Sequence, residues 1–486
     1  MLWHTSNALG QALHWAPDGQ VPGYREDTFP PFLLADQNRT IHAFADQAVR
    51  DGDRQKAIIY RQWTLQNGWT TPIDILLLPN NGSTQTYGAF LDTTGVIHIA
   101  FWGSGLQSSD LYYAQAPATE AYRAPAWSTP KSIGAEANTP ASGALAGDDK
   151  GNLVIIYSGT LAGNGVYATQ STDGGASWTA PLPIFLTYDP TLVPFSLHSY
   201  LDHAGQLHAV WNIVSATGVD EALYYARLDV AQQQWSEPIR LDKRIEKAGF
   251  FGPSFPAITG YDDTVVIMYN SGNPATDGPV EEGRPIQRVR LSNNGGQSWS
   301  EPIGPFAQQL GRSGEHALVS DSNNNIHTIF MQRIETKVDG QETVIDGPWH
   351  SELRGTQWRD ATNFPTMIAP HDMRAVVSQG NVLLTVWRED PGAGKSGVWY
   401  SYALLNAPEL PLVPIPTLVQ RPTATLPPIE TALPATITPT PIRFRQADVA
   451  PVTTGNSTVL VFFILVPVIL IFGTVGTAHW MGRKRR

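Results

Sequence analysis

The chain of 486 residues has no cysteine, so neither disulfides nor thiolate chemistry can hold it together or do its work. It is poor in charge. Asp, Glu, Lys and Arg make up 15% of it, and acids outnumber bases for a formal net charge of −11, which excludes the basic face a nucleic-acid partner needs. A basic stretch followed by an apolar run is also missing from its first residues, Met1-Leu2-Trp3-His4, so no leader peptide is visible there. Long apolar runs are absent with one exception, the uncharged 20 residues Val459 to Ala478. That length spans a bilayer. The Arg483-Lys484-Arg485-Arg486 cluster that follows predicts a cytoplasmic tail and places the bulk of the protein outside.

What the chain has in abundance is turn formers and rings. It contains 43 glycines, 38 prolines and 10% aromatics, the composition of many short strands joined by tight turns. A strand-like segment recurs with an aligned position at His42, His98, Val154, His208, Val266, His327 and Leu383, at spacings of 54 to 61 residues. A tryptophan follows each of the first six, at Trp69, Trp127, Trp178, Trp235, Trp299 and Trp358, and in all but the last a proline stands three residues on. One such unit supplies four antiparallel strands, which is a propeller blade. The fold class is therefore all-β: a seven-bladed β-propeller over residues 1–406, with six blades as the alternative. The segment after His371 supplies three strands, and residues near Trp15 are expected to complete that blade and close the ring. Leu2 to Ser6 reads as one more strand of a truncated blade, with the true start upstream.

Beyond the propeller the composition shifts. Residues 408 to 441 hold ten prolines and seven threonines. A Pro/Thr-rich stalk is expected over 407–457, on the order of 100 Å long at 3.1 Å per residue. A transmembrane helix over 458–480 and a basic tail over 481–486 complete the expected order, for a single-pass, surface-displayed protein.

Two stretches share a pattern: Ser171-Thr172-Asp173-Gly174-Gly175-Ala176-Ser177-Trp178 and Ser292-Asn293-Asn294-Gly295-Gly296-Gln297-Ser298-Trp299. Asp or Asn at the third position bonds nearby amides, the glycines supply positive φ, and the tryptophan pins the returning strand. The first stretch resembles the Asp box of bacterial neuraminidase repeats, Ser-x-Asp-x-Gly-x-x-Trp. The second departs from it at Asn294. The resemblance implies a sialidase-like propeller in which Ser171, Asp173, Gly175 and Trp178, with Ser292, Asn294, Gly296 and Trp299, are structural.

Strand direction puts these hairpins on one side with the short turns between first and second strands. The longer, charged connections, between second and third strands and between blades, share the other side. That side would carry Asp46 to Arg54, Val219-Asp220-Glu221, Asp277 to Arg284, Arg333 to Asp339 and Arg388-Glu389-Asp390. The inter-blade set adds Arg244, Glu246, Arg312, Glu315, His316, Asp372 and Arg374. A guanidinium fork matches a carboxylate, so Arg284, Arg312, Arg333, Arg374 and Arg388 are candidate substrate-binding residues. Sialidases hold their substrate's carboxylate with three arginines and use a tyrosine–glutamate nucleophile and an aspartate acid/base. By that resemblance Asp51 or Asp53 is the candidate acid/base; Tyr400, by its late position in the chain, and Glu221, from the charged side, complete the candidate catalytic residues, while Phe29 stands where the first arginine of the family is expected.

His42, His98, His208 and His327 hold one repeat position in different blades, so they are expected to be packing residues rather than metal ligands. Asp321 to Asn325 reads as turn chemistry. No metal or cofactor is implied. Two functions compete: an exo-glycosidase of sialidase type that releases acidic terminal sugars, and a non-catalytic glycan- or protein-binding propeller. The expected partners are a glycan or glycoprotein and the membrane.

Overall fold

The computed structural model describes residues 13–416, apart from loop positions 51–52, 54, 79–81, 105–108, 134–141, 247–250, 273–285, 307–310, 339–340, 346, 364–369 and 390–396. Seven antiparallel sheets form the propeller. Their innermost strands are Phe32–Ala35, Ser83–Leu91, Gly143–Gly147, Leu192–Leu201, Ser254–Tyr261, Gly311–Ser320 and Pro370–Ser378. Each lies beside the next, and the last returns to the first.

Both faces of every sheet are apolar because each is covered by a neighbour. In Thr264–Ser271 the side chains alternate by the period of two. Val265, Ile267 and Tyr269 enter the core shared with the fourth blade, whereas Val266 and Met268 enter the core shared with the sixth. Seven such cores fill seven blade interfaces. The six-bladed alternative is thereby excluded. The fifth blade is the thinnest, its outer edge reduced to one bridge between Val289 and Ile303.

Ring closure follows the expected route. Gly19–Gln20 pairs with Tyr400 and Trp399 on the strand Gly397–Leu404, and Trp15 bridges Ala403. The seventh blade is thus made from both ends of the propeller sequence.

Most of the tryptophans stand against an aromatic ring of the preceding blade, while Trp235 packs into the core between the third and fourth blades. Trp127 meets Tyr60 at 6.4 Å, Trp178 meets Tyr113 at 5.1 Å, Trp299 meets Tyr225 at 4.8 Å and Trp69 meets Tyr400 at 5.6 Å. Trp15 meets His350 at 5.8 Å. Edge-to-face packing of this kind is favourable beyond the area it buries.

Below the rings lies a relay that repeats. His42, His98 and His208 each place Nδ1 2.6–2.7 Å from the hydroxyl of Tyr60, Tyr113 and Tyr225, and Nε2 3.2 Å from Asp36, Asp92 and Asp202. The carboxylate can only accept, so each ring donates from Nε2 and accepts the hydroxyl at Nδ1. The same aspartate caps its turn: Asp92 Oδ1 accepts the amides of Thr94 and Val96 at 2.9 Å. These histidines are structural, with both ring nitrogens bonded. In the sixth blade His327 contacts Asp321 and, at 3.0 Å, His350 in place of a tyrosine.

The two glycine hairpins dock on this relay. In the first, Gly175 N donates to Ser171 Oγ at 2.8 Å and Ser177 N to Asp173 Oδ1 at 2.9 Å. Asn294 does the same work in the second, accepting from Ser298 N at 2.9 Å. Gly175 has a φ of +85°, and a Cβ there would sit 2.0 Å from the Tyr113 hydroxyl. At Gly296, with φ of +74°, it would sit 1.8 Å from that of Tyr225. Glycine is therefore required twice over, by backbone and by space.

Several stretches taken as loops are strands. Val219-Asp220-Glu221 runs into Asp220–Asp229, and Arg388 and Glu389 end Val382–Glu389. Arg333 to Val338 continue the strand Ile326–Val338, extended because Gln341–Ile345 pairs back on it as a hairpin. Nor does the chain leave the propeller at 407. Residues 408–416 lie across the turns of four blades. Leu410 N donates to Gln379 O at 2.8 Å, Val413 N to Gln37 O at 2.9 Å, and Glu409 pairs with Arg39. Ile415 packs into the core between the first two blades. The rest of the stalk, the expected transmembrane helix and basic tail, and Leu2 to Ser6 lie outside the described residues. No described helix is long and apolar enough to cross a membrane.

Candidate functional site

The innermost strands share a defect that builds a site. In five of the seven the register slips at one level: at Thr86/Gly88, Phe195/His198, Ser254/Ala257, Ser313/His316 and His371/Arg374. A bulge places extra residues opposite one partner and re-aims the side chains there. Three of the extra residues have left-handed backbones, Ser196 at φ 47°, Phe255 at φ 50° and Asp372 at φ 54°. All three line a cavity of about 460 Å³, a volume in the range of small-ligand pockets. It opens at the start of the innermost strands, on the side opposite the glycine hairpins, as strand direction predicted for the charged connections.

Polar contacts run from blade to blade around its wall. Asp46 Oδ2 accepts the Thr86 amide at 2.7 Å, and Ser142 Oγ accepts that of Leu197 at 2.8 Å. His316 Nδ1 donates to Phe255 O at 3.2 Å, and Arg374 Nη1 lies 3.6 Å from Glu315 Oε2. The bond at Nδ1 leaves the His316 Nε2 lone pair free. Among the described residues, five buried polar atoms of this wall have no hydrogen-bond partner: Asp46 Oδ1, Thr86 Oγ1, the Tyr87 hydroxyl, Glu315 Oε2 and His316 Nε2.

Burial sets the proton affinities. It pushes the Asp46 carboxyl up, against the amide and hydroxyls of Thr86 and Thr84 and the Lys56 cation, which pull it down. Glu315 is raised to about 7 by burial and by neighbouring Asp372, with Arg374 opposing. His198 is lowered to about 3 by burial and by Arg374, and His316 to about 4 by burial. At neutral pH the wall therefore holds two uncharged imidazoles and a carboxyl poised between its two forms.

Of the sequence candidates, Arg374 lines the cavity. Arg388 stands behind it, its guanidinium 4.6 Å from the centre of the Phe29 ring, which does line it. Tyr400 is elsewhere, wedged against Trp69 and Gly19 at the closure of the ring. Glu221 is engaged by both Arg244 Nε and Nη2, at 3.0 and 2.9 Å, away from the cavity wall. Asp53 is exposed and does not line it. Asp51, Arg284 and the side chains of Arg312 and Arg333 lie outside the described residues. The three-arginine clamp is therefore represented in the described wall by one arginine.

Glu315, His316, Asp372 and Arg374 stood together in the inter-blade set. His198, Lys56, Phe195 and Phe255 did not; for Phe195 and Phe255 the readable signal is the Phe-Ser and Phe-Pro pairs at the bulges. Elsewhere, Asp321, His327 and Glu352 bring ligand-type atoms within 4.8 Å of one another. The Asp321–His327 contact repeats the 3.2 Å contact of three other blades, and Glu352 is already bound by Arg354 Nε at 2.7 Å and Arg359 Nε at 3.5 Å.

No protein-family model matches the chain, and no curated protein matches it in sequence. Solved structures do match in shape. A polysaccharide lyase of family PL25, an ulvan lyase bound to -[GlcA(1-4)Rha3S]-, superposes with a TM-score of 0.50 at 13% identity, covering 80% of this chain and 96% of that one. A protein of unknown function from Dyadobacter fermentans gives 0.49 at 13%, covering 81% and 99%. An intramolecular trans-sialidase from Ruminococcus gnavus gives 0.40 at 12%, covering 82% and 98%. At these identities the likeness is one of fold: the chain is a β-propeller similar in architecture to the ulvan lyase.

Proposed function

We propose that the protein recognises an acidic sugar of a glycan in the bulge-lined cavity. The observation that carries this reading is the convergence on one cavity of buried polar atoms that have no hydrogen-bond partner among the described residues, Asp46 Oδ1, Glu315 Oε2 and His316 Nε2 among them. Buried polar groups are normally satisfied, and a ligand with many hydroxyls satisfies two acceptors and a lone pair at once. Arg374 supplies the cation for a carboxylate, since its contact with Glu315 is long and Glu315 loses its charge near neutrality. Backbone strain at Ser196, Phe255 and Asp372 supports the same reading, because strain gathers where geometry serves binding. A glycan ligand also agrees with the occupant of the ulvan lyase of similar fold.

Glycan-array binding by the full-length chain tests this. Retention of acidic glycans, lost in Arg374→Ala, is expected. An array with no acidic glycan retained would refute it. A second reading, hydrolysis at the same site, is favoured by Glu315, whose raised proton affinity suits a general acid. Release of fluorophore from a sialoside, abolished in Glu315→Gln, would establish it. We further propose that Val459 to Ala478 anchors the chain in a membrane with the propeller outside. Recovery of the chain in the alkaline-washed membrane fraction is expected, and release by the wash would overturn it.

A further inference from the structure

One residue in the cavity wall contradicts its own conformational preferences. Phe255 has a φ of +50°, a region in which a residue with a Cβ is strained. It also precedes Pro256, and the residue before a proline is driven toward extended backbone. At the same register position the fourth blade has Ser196, the sixth Gly314 and the seventh Asp372, all small or turn-forming. A bulky aromatic residue is tolerated in this position when burying the ring repays the strain. Here the repayment is partial, because Phe255 keeps 36% of its surface exposed. Its ring lines the cavity, and its carbonyl, which any residue would supply, holds His316.

From these observations we infer that Phe255 is a stacking platform, its ring kept at the cavity by the strained bulge to receive the apolar face of the bound sugar. This rests on the glycan reading above and adds to it. The ligand is a ring sugar that offers one face of C–H groups to Phe255 while its hydroxyls and carboxylate turn to Asp46, Glu315, His316 and Arg374. At this position stability and binding pull in opposite directions, and that opposition is what makes the assignment testable.

The experiment compares full-length Phe255→Gly, Phe255→Trp and Arg374→Ala with the unmodified chain, using an acidic oligosaccharide retained on the array as the probe. Phe255→Gly relieves the backbone, so its urea unfolding midpoint is expected to rise while affinity for the probe falls about tenfold or more. Phe255→Trp keeps a platform and is expected to bind within about threefold of the unmodified chain. If Phe255→Gly unfolds at lower urea, the ring is a packing element and the inference fails. If Phe255→Gly binds as the unmodified chain does while Arg374→Ala does not bind, stacking is refuted and the cavity reading stands. If neither change alters binding, the cavity reading fails as well.

Discussion

The glycine hairpins allow a backbone cost to be separated from a packing cost in neighbouring residues. Gly174 and Gly175 have φ values of +65° and +85°, so alanine at either strains the backbone by about 1–2 kcal/mol. They differ in what a methyl group meets. At Gly174 there is nothing within 4 Å, whereas at Gly175 the Tyr113 hydroxyl lies 2.0 Å from the new carbon and its ring carbons 2.3 and 2.7 Å away. Tyr113 cannot step aside, since its ring lies between Trp178 and His98 and its hydroxyl is bonded to the histidine. Overpacking of this kind typically adds about 1–3 kcal/mol. Gly174→Ala is therefore expected to lose about 1–2 kcal/mol and Gly175→Ala about 3–4 kcal/mol, with Gly296→Ala matching the latter through Tyr225. Urea unfolding followed by tryptophan fluorescence reads the difference as separated midpoints with a common slope. Equal losses at Gly174 and Gly175, within about 0.5 kcal/mol, would show that the hairpin does not bear on the neighbouring blade, and the docking argument would fall.

Three more expectations follow from the geometry. A chain ending after Asn406 loses two backbone hydrogen bonds and the packing of Ile415, so it should be about 2–4 kcal/mol less stable than one ending after Pro416; equal urea midpoints would make residues 408–416 a passive passenger. His198, His316 and His350 are lowered to about 3, 4 and 3 by burial, with Arg374 and His327 adding to the first and last. They stay neutral when folded and take up protons below about pH 6.5 when unfolded; Glu315 and Asp220, raised to about 7 chiefly by burial, oppose this in the same window, so in the Glu315→Gln, Asp220→Asn chain stability should fall from pH 6.5 to pH 4.5, above the range of Asp92, which is held at about 2. A flat profile across that window, measured by urea unfolding, would contradict it. Finally, Glu315 repels an acidic ligand only when ionised, so affinity should rise as pH falls from 8 to 6, and the dependence should vanish in Glu315→Gln; calorimetric titration at several pH values decides, and an unchanged dependence in the variant would remove Glu315 from the site.

What the sequence disclosed and what it hid divide along physical lines. Blade number and ring closure were legible because apolar alternation and the tryptophans recur at spacings of 54 to 61 residues, and the indoles return to the interface with the preceding blade. The relays were half legible. The histidines were assigned to packing, yet an aspartate stands six residues before each, at Asp36, Asp92, Asp202 and Asp321, and that spacing was a readable sign of the bond between them. The cavity was legible where charge marked it, at Glu315, His316, Asp372 and Arg374, and hidden where it depends on bulges. An extra residue in an apolar strand leaves no mark on composition, so Phe195, His198 and Phe255 were missed. Tyr400 was chosen for its lateness in the chain, but the closure of the ring takes its ring face. Residues 408–416 misled by their prolines: their composition is that of a linker, while Val413 N and Ile415 make the contacts of a docked segment.

The seventh blade also sets a timetable. Ser401 Oγ donates to Ala16 O across 385 residues of sequence, so the first strand emerges from the ribosome long before its partner exists. At about 5–20 residues per second that delay is roughly 20–80 s. For that interval Gly19–Gln20 has no partner, the face of the first blade that the seventh covers is bare, and the array is an open arc, exposed to mispairing with a second nascent copy. Synthesis conditions that slow elongation should therefore lower the yield of closed rings more than they disturb any single blade.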